Sequence, residues 1–117
     1  MPDLSPEGRA RAAHTVEVAA VFAAHAEAIV GALDEVPTGH VLVAVVDAEH
    51  SFIGTHQVDT SEMVTSVPAL EGPGGWAMVF TPGATVADVC RRTTEMADIA
   101  AQRVAAIDRI TARQRAD

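Results

Sequence analysis

Residues 40–47, reading HVLVAVVD, constrain this chain more than any other segment. The run is apolar on both faces and β-branched at four positions, so as a strand it needs cover on two sides and belongs at the centre of a sheet. Residues 52–58 (FIGTHQV) return after a turn at 48–51, and a loop of two or four residues sets Asp47 opposite Phe52 and Val43 opposite His56. In that register Val41, Val43, Val45, Phe52, His56 and Val58 share one face. His40, Leu42, Ala44, Val46, Ile53, Thr55, Gln57 and Asp59 share the other. The first face is the greasier, and His56 is expected to be buried in it.

The segments on either side of this hairpin read as helix. Ser5 followed by Pro6 is an N-cap and first-turn pair, since a serine oxygen accepts an orphan N–H and proline has none to satisfy. Val18, Phe22, His25, Ile29 and Leu33 recur every three or four residues, predicting one helix over about 6–33 with a buried stripe. Pro37 and Gly39 end it. Thr60 and Ser61 open a short helix that should stop before Pro68, and 71–75 (EGPGG) is a loop. Residues 76–80 (WAMVF) form a third strand. Thr85 then caps a helix over about 86–114, with Asp88 three residues on as a short relative of the capping box. Its seam reads Val86, Cys90, Thr93, Ala97, Ala100, Val104, Ile107, Thr111, and the small residues in mid-seam permit close helix approach.

These elements make an α+β fold over a single domain, 1–117: a small sheet of at least three strands, the hairpin 40–58 and strand 76–80, flanked by two long helices. With 49% hydrophobic residues, such a length removes roughly two thirds of the unfolded surface from water. Helices of about 40 Å overhang strands of about 20 Å, and a second copy of the chain is the economical cover, giving a homodimer.

Charge excludes several partners. The net charge is −8, and all eight basic residues are arginine. None lies between Arg11 and Arg91, a stretch that holds ten acidic residues. An acidic body offers no face for exchanging counterions with phosphates, so no nucleic acid is expected. The cluster Arg109, Arg113, Arg115 suits a helix C-terminus. A lone cysteine, Cys90, excludes an intramolecular disulfide or multi-thiolate zinc site and fits a reducing cytoplasm. The polar start, residues 1–11, lacks the apolar region of a signal peptide, and no apolar run reaches spanning length, so no membrane partner is expected.

No nucleophile elbow, phosphate loop, HExxH helix or paired-cysteine motif occurs. His14 and His25 lie roughly 16 Å apart along one helix and cannot share an ion. The pairs Asp47 with His50 and His56 with Asp59 mirror each other in the hairpin, but the two histidines stand on the order of 20 Å apart at 3.3 Å per residue. His40 opposite Asp59 is the nearer contact and reads as a cross-strand pair. No cofactor and no tightly bound metal are therefore expected. Cys90 faces the helix seam and reads as packing.

From Val41 onward the order is a strand ending in Asp47, a second strand, a short helix, the strand 76–80, Thr81-Pro82-Gly83, and a helix with Asp88 and Arg91-Arg92-Thr93. This layout resembles RadC-type JAB domains over about seventy residues. Their His-x-His-Pro motif is replaced here by Val79-Phe80-Thr81-Pro82, leaving Pro82, Gly83 and Asp88 as the residues that match. The resemblance implies a copy without the zinc site, a binder rather than a hydrolase. The reading as a whole favours a non-enzymatic interaction or regulatory module with a protein partner. The rival is a small-ligand binder or enzyme with a pocket at His40, His56, Asp59 and Trp76 beside the loop 72–75. A JAB-type metal-dependent hydrolase comes last.

Overall fold

A computed structural model describes residues 5–116, and the first four residues of the polar N-terminal segment lie outside the described residues. The strand at the centre is β1 (His40–Val46). It pairs antiparallel with β2 (Phe52–Asp59) on one side and β3 (Trp76–Phe80) on the other, giving the order β2-β1-β3. Six consecutive residues, Val41, Leu42, Val43, Ala44, Val45 and Val46, are buried, as a doubly covered strand requires. On one face Leu42, Ala44 and Val46 join Phe22, Ile29, Met78 and Phe80 beneath the N-terminal helices and α4 (Val86–Ala116). On the other, Val41, Val43, Val45 and Val58 are covered by Met63, Val67 and Leu70 of α3 (Met63–Glu71).

The N-terminal helix is not continuous. It is split into α1 (Pro6–Ala24) and α2 (Ala26–Leu33), bent by 60° at His25. The His25 N–H donates to the Phe22 carbonyl at 3.1 Å. The ring Nδ1 lies 2.8 Å from the Val21 oxygen, the carbonyl an unbroken helix would give to that N–H. A carbonyl only accepts, so Nδ1 carries the hydrogen. The ring also stacks on Phe52, with centroids 4.3 Å apart. The stripe itself holds, with Val18, Phe22, Ile29 and Leu33 buried on either side of the bend.

Two further expectations are corrected. Val43 does face His56, but the register shifts between Val45 and Val46, so Phe52 pairs with Val46 rather than Asp47. This bulge carries Phe52 across to the face of Leu42 and Ala44 and leaves Ile53 exposed. His56 is exposed as well. The helix that covers this face, α3, starts beyond the Asp59 end of β2 and finishes beside Trp76, at opposite ends of the sheet. It crosses β1 on a diagonal and misses the middle of the edge strand. Pro68, expected to stop α3, lies inside it.

The helix starts behave as their residues dictate. Ser5 accepts from the Gly8 N–H at 3.1 Å. Thr85 and Asp88 cap α4 reciprocally: the Thr85 N–H donates to Asp88 Oδ2 at 2.9 Å, and the Asp88 N–H donates to Thr85 Oγ1 at 3.1 Å. α4 packs antiparallel on α1 through small residues, with Gly8, Ala12, Ala19, Thr93 and Ala100 buried. At the start of its seam Val89 is buried in place of the expected Val86, because the first turn packs against Phe80 and Met78. Arg92 covers the outer edge of β3, donating to the Val79 carbonyl at 2.6 Å with its guanidinium over the Phe80 ring. Among the described residues no single helix is long and apolar enough to cross a membrane.

Candidate functional site

The turn between β1 and β2 is organised by Asp47. Its carboxylate accepts from the N–H groups of Glu49 at 3.0 Å and Ser51 at 2.9 Å, and its carbonyl accepts from the His50 N–H at 3.0 Å. This winding puts His50 in the left-handed region, with φ 63, as the only non-glycine residue with positive φ among those described. The His50 ring is thereby directed at α1, where His14 and Glu17 stand one turn apart.

Three side chains converge there. His50 Nδ1 lies 2.8 Å from Glu17 Oε2, and His14 Nδ1 lies 4.0 Å from the same oxygen. One ligand atom from each residue falls within 4.8 Å of the others. Trp76, at the start of β3, borders the cluster: its ring centroid is 5.6 Å from that of His50 and 6.4 Å from that of His14. The two imidazoles are 5.0 Å apart. Packing leaves the His50 side chain 22% exposed, and its Nε2 is buried without a hydrogen-bond partner. His14 and Trp76 also border an open groove of about 320 Å³ shared with Glu7, Arg11, Ala48 and Gly74. Two imidazoles and a carboxylate can hold a divalent ion or orient a proton at a histidine nitrogen.

The residues read from the sequence as a pocket fall at two ends of the sheet. His40 and Asp59 are cross-strand partners at one end. Asp59 accepts from the Ser61 N–H at 2.9 Å and hydroxyl at 2.7 Å, which hold its carboxyl below the ordinary range, with His40 adding to the effect. Trp76 pairs with Val46 at the opposite end, about 20 Å away along the strand. His56 stands exposed on the edge strand between these ends. The structure therefore groups His40 with Asp59 and groups Trp76 with His14, Glu17 and His50. Asp88, the ligand position left by the RadC resemblance, has both oxygens engaged, Oδ2 by Thr85 and Oδ1 by Arg91 at 3.0 Å.

Sequence spacing missed His14, Glu17 and His50 as a group. Histidine and glutamate three apart on a helix, with a histidine in an Asp-led turn, are the signals it held. Neither says which helix face lies over which end of a sheet. Comparison with family models, with curated proteins and with solved structures gives no match for this chain.

Proposed function

We propose that the chain is a non-enzymatic interaction module that associates with a second copy of itself through α4. The carrying observation is Ile99, which is 59% exposed in the middle of this helix. Glu95 and Arg103 flank it, each one turn away on the same exposed stripe. Antiparallel two-fold packing of α4 about Ile99 sets Arg103 beside Glu95 of the partner subunit, twice by symmetry. A largely apolar groove between α1 and α4 adjoins this stripe, lined by Ala12, Thr15, Met96, Ile99 and Ala100 together with Arg11 and Arg103. The pair α1 and α4 runs along a molecule 58 Å by 28 Å by 24 Å, and α2 packs against α4 as well, leaving Ile99 exposed. A cytoplasmic location belongs to the same reading, supported by the single cysteine.

The test is sedimentation of the full chain with charge-reversal variants. The wild type should sediment as a dimer, Ile99→Asp as a monomer, and Glu95→Arg or Arg103→Glu should each weaken association. The double reversal should restore it, because opposite charges again face each other. A monomeric wild type, or a dimer indifferent to Ile99→Asp, rejects the proposal. A small-ligand reading keeps a basis in the cluster at Trp76. The JAB-type hydrolase ranks last, since Asp88 is committed to the cap of α4.

A further inference from the structure

We propose that His14, Glu17 and His50 form a binding site for one divalent transition ion of the zinc class, a reading that reverses the expectation drawn from histidine spacing. The donor set selects the ion. Two imidazoles with one carboxylate suit zinc, cobalt, nickel or copper, whereas magnesium and calcium prefer oxygen donors throughout. Donor atoms about 2.0–2.1 Å from a tetrahedral ion stand roughly 3.3 Å from one another. The observed separations from Glu17 Oε2, 2.8 Å to His50 Nδ1 and 4.0 Å to His14 Nδ1, straddle that value. A small swing of the exposed Glu17 carboxylate toward His14 equalises them. Three protein donors leave the fourth position of such an ion to water or to a donor atom of a ligand.

Two observations independent of these distances point the same way. His50 adopts its left-handed backbone inside a turn held by three hydrogen bonds to Asp47, so the ring is presented to α1 against the ordinary backbone preference of a non-glycine residue. Its ring is packed against Trp76 with Nε2 buried, so Nδ1 is the nitrogen turned toward Glu17 and available to an ion. The field also favours a cation, because the chain carries a net charge of −8; Arg11, which shares the groove with His14, is the nearest opposing charge along the helix.

Trp76 is the only tryptophan in the chain, so it reports on the site directly. Untagged full-length protein is titrated with Ni²⁺ while Trp76 fluorescence is followed, and Zn²⁺ binding is measured by calorimetry. We expect saturable quenching by the paramagnetic ion, reversal by Zn²⁺, and one Zn²⁺ per chain. His14→Gln and Glu17→Gln alter exposed helical side chains, and His50→Asn keeps a residue that tolerates the left-handed region, so all three variants should keep the wild-type circular dichroism. Each should weaken binding more than about tenfold, the least that loss of even an outer-sphere partner costs. His56→Gln should leave it unchanged. Absence of saturable quenching overturns the proposal. So does binding that survives in both His14→Gln and His50→Asn, or that is lost in His56→Gln. The outcome is separate from that of the sedimentation test, because no residue is shared between the two.

Discussion

Three aspartates, Asp59, Asp88 and Asp108, share one circumstance: each carboxylate is held below the ordinary aspartate range. The first two are held chiefly by backbone N–H donors, from Ser61 and Thr85, and Asp108 by the side chain of Arg9. A depressed folded value means that each contributes stability above the unfolded value, about 3.9, and loses it as the pH falls through the lower folded value. Stability should therefore decline below about pH 4 as these groups take up protons. Asp88→Asn should flatten that acid limb in denaturant titrations run from neutral pH downward. An unchanged limb would remove Asp88 from the account.

At the scale of elements, the close fit of the loop before β3 is set by Gly75, which is buried where α3 ends against the end of β1. A Cβ built there meets the Glu71 carbonyl oxygen and lies 3.1 Å from the Val46 oxygen. Both are backbone atoms, and neither can swing away. Gly75→Ala should destabilise the fold by about 2 kcal/mol, within the range of overpacking in a tight site, and should lower the urea midpoint with little change in slope. Gly31→Ala is the matching control, since its Cβ meets nothing within 4 Å on a helix where alanine is preferred. A Gly75→Ala midpoint equal to that of the wild type would show that the loop yields at no cost.

The whole molecule divides into a packed body and a two-helix arm. β1 has a hydrogen-bonded neighbour on each side and a hydrophobic cluster on each face. The far end of the arm is clasped by the exposed pair Arg9 and Asp108, with Arg9 Nε 2.7 Å from Asp108 Oδ1 and a second contact of 3.1 Å. Amide exchange should accordingly be slowest in β1 and fastest in the last turns of α4. Arg9→Gln should speed exchange beyond Asp108 and leave β1 as it was. Equal acceleration in β1 would mean that arm and body open as one unit.

What the sequence determined by itself is what local chemistry decides. The apolar run 41–46 required a doubly covered strand, and Ser5-Pro6 and Thr85 with Asp88 marked the helix starts, whereas Val43 faces His56 only because the bulge at Val45/Val46 offsets a turn register that hairpin length did not give. The strand and the helix starts depend on neighbours a few residues apart. The break at His25 was beyond that reach, because Phe52, on which the ring stacks, comes from a distant strand. The same holds for the exposure of His56, which depends on the angle at which α3 crosses the sheet. The meeting of His14 and Glu17 with His50 and Trp76 was decided last, by the placement of α1 over the Val46 end of β1. Periodicity gives the face of a helix, but only packing gives the end of the sheet it covers.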